Sequence, residues 1–321
     1  MKLIIQIPAF NEAETLEIAL NDLPKQIEGL DTIEYLIIDD GSSDATVAVA
    51  RAWGVQHIVR QRRNKGLAKG FMAGMDACLR LGADIIVNTD ADNQYNGADI
   101  EKLVRPILDK QTDIVIGERP IMETIHFSSL KKQLQRFGSF VVRKASKTEI
   151  KDAPSGFRAY SRYAAMRLNV TNAYTYTLET IVQAGRDKIA MIDVPIRTNA
   201  ELRPSRLFSS MGTYVKRSMG TILRAYMTYQ PMKFFTYVGL IPFVAGLLIG
   251  LRYVYYALSG TSGGHIQSLI LSAILLLIGF MTIVIGFVAE LISINRKILE
   301  DIEVRVRRLD YHVNSEDEKM D

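Results

Sequence analysis

Two carboxylates one residue apart, at the end of a short apolar run, carry the clearest chemical potential in this chain. The stretch is Ile85-Ile-Val-Asn-Thr-Asp-Ala-Asp-Asn-Gln-Tyr95. Three β-branched residues followed by polar ones read as a buried strand running into a turn. Side chains at i and i+2 share a face of an extended chain, so an extended backbone past Thr89 would aim Asp90 and Asp92 the same way. Two hard oxygen ligands there, with room for water and phosphate, suit Mg²⁺ or Mn²⁺ bridging a diphosphate. Aspartates also punctuate ordinary turns, so the pair gains weight only from what surrounds it.

The elements that must position this pair follow a regular order. Strands are expected at Leu3–Ile7, Glu34–Ile38, Val55–Val59, Ile85–Thr89 and Ile114–Gly117. Helices are expected over Ala13–Leu23, Ala45–Trp53 with Asp44 as N-cap, Gly70–Leu81 and Ile100–Asp109. This alternation predicts an α/β fold, a mostly parallel sheet with helices on both faces. Ligands of such sheets sit beyond the carboxyl ends of the strands. Three of those ends carry unusual residues, Pro8–Glu12, Asp39–Gly41 and Asp90–Gln94, and that coincidence marks a site. Further on, a basic helix is expected over Ser128–Lys147, and a turn over Asp152–Arg158 feeds a short strand. A helix at Thr175–Ala184 and a strand at Ile189–Arg197 complete the fold.

The character of the chain changes at Leu207. Leu207–Tyr229 mixes apolar and aromatic residues with Lys216, Arg217 and Arg224, the profile of a helix lying in a membrane interface. Phe234–Leu258 and Ile266–Ile292 are each long enough to span a bilayer, joined only by Ser259–His265. Lys and Arg flank the outer ends of this hairpin and are missing from its loop, which places both termini in the cytoplasm of a cell-membrane protein. Arg252 and Glu290 lie near the span ends and can reach the interfaces. Residues 1–206, 207–232, 233–293 and 294–321 are the expected catalytic domain, interface region, hairpin and charged tail. The 321 residues carry a formal charge of +4, with pI near 9.0. With no long basic run in the first half, nucleic acid is not the expected partner; anionic phosphates or an anionic membrane surface fit better. The lone Cys78 excludes an internal disulfide, and Met1-Lys-Leu-Ile-Ile enters a strand without a signal peptide.

Five motifs in order resemble the inverting family 2 glycosyltransferases of GT-A (Rossmann-like) fold, in particular the dolichol-phosphate mannosyltransferase and bacterial polyprenyl-phosphate glycosyltransferase branch. They are Ile7-Pro-Ala-Phe-Asn-Glu12, Ile38-Asp-Asp-Gly-Ser-Ser-Asp44, Asn64-Lys-Gly-Leu-Ala-Lys-Gly70, Asp90-Ala-Asp-Asn-Gln94 and Ser155-Gly-Phe-Arg158. The resemblance implies that Pro8, Ala9, Phe10 and Glu12 bound a nucleoside pocket, with Asp39 on the base or ribose and Asp40 beside it. It implies Asp90 and Asp92 as metal ligands, Ala91 among the donor-binding residues, and Gln94 at the sugar. Arg119 resembles the arginine near the donor and acceptor phosphates. Lys132 and Arg136 fall where acceptor-phosphate contacts would lie, and Arg203 and Arg206 resemble a basic loop closing over the diphosphate. Asp152 matches the acceptor-side carboxylate; it could act catalytically, orient the acceptor or an arginine, or cap its turn. Tyr174, Tyr176 and Glu179 are candidate sugar contacts or, for the tyrosines, core residues.

What the resemblance implies is transfer of a sugar from a GDP- or UDP-sugar to a dolichyl or other polyprenyl phosphate, on Mg²⁺ or Mn²⁺, at the membrane. A homo-oligomer is the expected assembly, given the long second span and the C-terminal helix. Two other readings stay open: a glycosyltransferase acting on a hydroxyl, and a non-catalytic nucleotide-sugar-binding subunit.

Overall fold

The computed structural model describes residues 1–120, 148–170, 176–200, 230–259 and 266–317, with Arg143, Ser146, Gly220, Leu223, Arg224 and Met227. Most of the helices expected over Ser128–Lys147 and Leu207–Tyr229 lies outside the described residues, as do Lys132, Arg136, Tyr174, Arg203 and Arg206.

Two compact units divide the chain, Met1–Ile222 with Ile302–Asp321, and Leu223–Asp301. In the first, β1 (Lys2–Ala9), β2 (Thr32–Asp39), β3 (His57–Arg60), β4 (Ile85–Asn88), β5 (Ile114–Glu118), β6 (Arg158–Ser161) and β7 (Met191–Pro195) form one sheet in the order β3-β2-β1-β4-β6-β5-β7. β1 pairs in parallel with β2 and β4, β2 with β3, and β5 with β7. β6 runs antiparallel to both its neighbours, so the expected mostly parallel sheet is mixed on this side.

Both faces are covered. Leu3, Ile5 and Ile7 point one way into a core shared with α1 (Leu16–Asn21), α2 (Thr46–Trp53) and α4 (Ile100–Leu108). α3 (Leu67–Arg80) packs on β1 and β2, where Gly74 lies against Gln6 and Ile38 of the opposite face. α1 begins later than expected because residues 11–13 are spent on loop contacts: Asn11 is left-handed (φ 56), and the Glu12 and Ala13 amides donate to Thr46 and Asp44. Two further helices follow β6, α5 (Arg162–Arg167) and α6 (Thr177–Arg186).

Strands β1, β2 and β3 progress to one side of β1, and β4 lies on the other. Their carboxyl ends therefore diverge between β1 and β4, which is where doubly wound sheets bind ligands. Gln6 pairs with Asn88, Ala9 with Asp39 and Asp39 with Arg60, so the residues leaving these strands emerge level with one another.

The second unit holds α7 (Pro231–Leu258) and most of α8 (Ile266–Asp317). Both are long and apolar enough to cross a membrane, with mean hydropathies of 2.1 and 2.8 in their best windows. Only 11% and 17% of those windows is buried, unlike the core helix of a soluble domain. Small residues seven apart form the seam: Gly239 lies against Gly279, Gly246 against Ser272 and Leu276, and Gly286 against Phe235. Ser272 Oγ donates to the Gly246 carbonyl at 2.6 Å. Glu290 accepts from the Met232 amide at 3.2 Å, so it caps the first turn of α7. The span and the tail helix expected as separate elements form one continuous helix, α8.

Candidate active site

The site builds outward from the end of β4. The strand ends at Asn88, one further ladder bond runs from the Thr89 amide to Gln6, and Ala91–Asp92 then turn, with Asn93 left-handed at φ 57. The two aspartates thus meet through a turn rather than along the extended chain that their spacing suggests. Asp92 Oδ1 accepts from the Gln94 amide at 3.2 Å, and Ala91 is buried beneath. The Asp90 carboxyl is pushed up to about 7, first by burial and then by the charge of Asp92; Glu12 adds to the push and Arg119 opposes it.

What fixes Asp90 is a buried polar relay. Gln6 Nε2 donates to Asn88 Oδ1 at 3.0 Å, and Asn88 Nδ2 donates to the Gly156 carbonyl and the Tyr176 hydroxyl, each at 2.9 Å. Gly156 then lies flat under the carboxylate. A Cβ there would sit 3.0 Å from the Tyr176 hydroxyl and 3.4 and 3.5 Å from the Asp90 oxygens, so only glycine leaves both undisturbed. Its amide donates to Tyr95 Oη at 3.1 Å, and Tyr95 stacks on Phe157 at 4.8 Å. Arg158, fully buried, donates to the carbonyls of Ala153, Ser155 and Thr177 and to Thr180 Oγ1, which ties this turn to α6.

Asp152, almost fully buried, accepts from Arg119 Nε at 2.7 Å, Arg119 Nη2 at 2.9 Å and the Arg119 amide at 3.2 Å. The fork leaves Asp152 as a holder of the guanidinium, while the field of that guanidinium reaches Asp90.

The exits of β1 and β2 are knitted together. The Asn11 amide donates to Ser42 Oγ, the Ser43 amide to Asn11 Oδ1, the Glu12 amide to Thr46 Oγ1 and the Ala13 amide to Asp44. Pro8 and Ala9 end β1, and the Phe10 ring is exposed beside them. Asp39 accepts from the Ser42 amide at 2.8 Å through Oδ1. Its Oδ2 is buried and takes no hydrogen bond among the described residues, although Arg60 Nε lies 3.3 Å away. A buried acceptor left open in this way suits an N–H or O–H of a bound molecule. Asp40 differs: its two oxygens accept from the Lys65 and Gly66 amides at 2.8 and 2.9 Å, so it holds the next loop.

Of the residues the sequence singles out, the structure brings together Glu12, Asp90, Asp92, Arg119 and Asp152. It puts Asp39 at the neighbouring strand end and buries Tyr176 at the N-cap of α6 and Glu179 in its first turn. Asn88, Gly156 and Arg158 are the supports that motif reading leaves without a role; the signal for Asn88 and Arg158 is polarity in otherwise apolar strands, and for Gly156 a glycine in the turn just before β6. Among the described residues, no three His, Cys, Asp or Glu side chains gather as a metal cluster. The crowding that lifts Asp90 nevertheless fits a cation, which would relieve it and draw its other ligands from water and phosphate.

Comparison with known proteins bears on the fold and the family of the chain. The chain is 29% identical over 214 residues to the UDP-N-acetylglucosamine–dolichyl-phosphate N-acetylglucosaminyltransferase of Methanococcus voltae, covering 60% of this chain and 83% of that one. It is 25% identical over 219 residues to the polyprenol monophosphomannose synthase of Mycolicibacterium smegmatis, covering 64% and 81%. In fold it matches glucosyl-3-phosphoglycerate synthase from Mycobacterium tuberculosis, solved with Mn²⁺, UDP-glucose and phosphoglyceric acid. The TM-score is 0.57 at 20% identity, over 70% of this chain and 79% of that one. The model of glycosyl transferase family 2 matches residues 4–168, more than half of the chain, and the chain belongs to that family.

Proposed function

We propose that this glycosyltransferase is membrane-anchored and inverting, and that it moves a sugar from a GDP- or UDP-sugar to the phosphate of a polyprenyl lipid. In this reading residues 1–206 are the catalytic domain, 207–232 lie in the interface, 233–293 span the membrane, and 294–321 return to the cytoplasm. Glu12, Pro8, Ala9, Phe10 and Asp39 bound the nucleoside. Asp90 and Asp92 would hold Mg²⁺ or Mn²⁺, whose chemistry is to offset the charge that grows on the departing diphosphate. Ala91 belongs to the donor-binding turn, and Gln94 borders the sugar. Arg119 sits between the two phosphates, and Lys132, Arg136, Arg203 and Arg206 lie in segments that would complete the acceptor side.

The observation that carries this reading is the Arg119 fork on Asp152. A hydroxyl acceptor needs a base to take its proton, and Asp152, the carboxylate placed to do so, already spends both oxygens on Arg119. A phosphomonoester has its second pKa near about 6 and arrives largely as a dianion, so it needs no base and gains from a positioned guanidinium. The apolar helices α7 and α8 and the relatives that act on lipid phosphates support the same acceptor.

The test compares a polyprenyl phosphate with diacylglycerol as acceptor, screening GDP- and UDP-sugars with Mn²⁺. Transfer to the phosphate alone is expected; transfer to diacylglycerol alone would overturn the assignment. Asp92→Ala should fold normally, lose Mn²⁺ binding and lose transfer by at least about a hundredfold.

A further inference from the structure

We infer that the cleft beyond the end of β3 is a second, cationic site, built to take a phosphate anion and separate from the Asp90/Asp92 pair. The cleft has a volume of about 640 Å³ and is lined by Arg60, Arg62, Arg63, Lys65 and Lys69, with Ala73 of α3 closing it. The sequence between Asp44 and Asp76 contains six Lys and Arg and no Asp or Glu, so this short stretch carries more positive charge than the chain's net +4. Within the described residues only Arg60 of the five has a carboxylate within 4 Å, namely Asp39.

The backbone that carries these exposed cations is held in place. The Lys65 and Gly66 amides are fixed on Asp40, and the Gln61 amide donates to the Asp39 carbonyl at 2.9 Å. Gly41 (φ +80) lies against the backbone of Arg63 and Asn64, so closely that a Cβ there would strike it at 2.8 Å. Anchoring a like-charged loop on a firm base costs stability unless an anion offsets the repulsion. The volume accommodates a phosphate or diphosphate group, and the exposed guanidinium groups can fork its oxygens.

Two sources carry that chemistry. One is the diphosphate of the donor or of the released nucleotide: the neighbouring pocket is acidic (Glu12, Asp39, Asp90, Asp92), and an approaching anion would be drawn in past this rim. The other is the headgroup of an anionic lipid. Only the choice between them rests on the proposed function; the anion site itself stands on the cleft.

The experiment uses the full chain in zwitterionic nanodiscs with EDTA, and pyrophosphate as the probe. Without metal the Asp90/Asp92 pair repels pyrophosphate, and the difference in binding between wild type and a cleft variant reports the cleft. Wild type should bind, with affinity falling as salt rises, and R62Q/R63Q/K69Q should bind about tenfold or more weakly with unchanged thermal stability. Should the triple variant misfold, K69Q alone and the wild-type salt slope give the same answer. A donor KM raised about tenfold at low ionic strength, with the gap closing at high salt, identifies the diphosphate as the source. Displacement of pyrophosphate by phosphatidylglycerol in the nanodisc, with donor KM unmoved, identifies the lipid. Equal pyrophosphate affinity in wild type and variant, or none in wild type, overturns the site. Pyrophosphate binding without any sugar transfer would count against the proposed function and leave the cleft intact.

Discussion

Partners decide what each carboxylate at this site can do. Asp152 and Asp90 both feel the charge of Arg119, yet one is bound in a guanidinium fork and the other is crowded by a like charge. If Asp152 only positions Arg119, Asp152→Asn loses a charged hydrogen-bond pair and should lower kcat/KM about tenfold to a hundredfold. The pH–rate profile should keep its shape in that variant. A collapse of the profile's acidic limb would instead mark Asp152 as a base. Gly156 makes a sharper probe of Asp90, because an added methyl meets the Tyr176 hydroxyl and both Asp90 oxygens within 3.5 Å. Gly156→Ala should cost about 1 kcal/mol or more of stability and weaken Mn²⁺ binding several-fold, read by calorimetry without any substrate. Unchanged Mn²⁺ affinity would show that the close packing does not set the carboxylate's position.

The loop after Asp92 depends on the segment after β7 in the same way. Arg197 donates to Asp99 through its amide at 2.6 Å, through Nε at 3.1 Å and through Nη2 at 2.8 Å, and Lys102 Nζ adds a contact at 2.9 Å. Tyr95 bridges to Thr198, and the Asn199 amide donates to the Gln94 carbonyl at 2.9 Å. Asp99 thus clasps residues 94–99 to 197–199, and this clasp was invisible in the sequence because nothing local marks a contact spanning 98 residues. Burial pushes the Asp99 carboxyl up, but the bonds from Arg197 and Lys102 outweigh it and hold the group below the usual carboxylate range. A group depressed on folding stabilises the protein above its unfolded pKa and loses that contribution as pH falls through its folded one. Asp99→Asn should therefore cost about 1–2 kcal/mol at neutral pH, and the deficit should shrink in acid, as urea melts at several pH values would show. A deficit independent of pH would assign the loss to packing alone.

Across the whole molecule, the sequence is most legible where structure is local. Strands β1, β2, β4 and β5 lie within apolar runs because both faces of the sheet are covered, and the Asp-x-Asp pair stands out at the end of such a run. The antiparallel β6 is four residues long, too short for a pattern to give its direction. The Asn88 relay joins residues 68 and 88 positions apart, so it emerges only on folding. The spans were legible from length and apolarity, but the cap from Glu290 to Met232 was not, since a carboxylate in a span reads equally as an anchor. That cap bears on topology. It sets the start of α7 beside Glu290 of α8, so in the proposed membrane hairpin the start of the first span and the Glu290 end of the second share one face, and a loop joining the spans is expected on the other. The lone Cys78 is buried and burial pushes its thiol up, so it leaves the native chain nearly silent to a membrane-impermeant maleimide. Ser262→Cys should then label from the outside of intact cells, and Ser315→Cys only after the cytoplasmic face is opened. Labelling of both from one side would overturn the hairpin, because two spans that each cross once must separate the connecting loop from the tail.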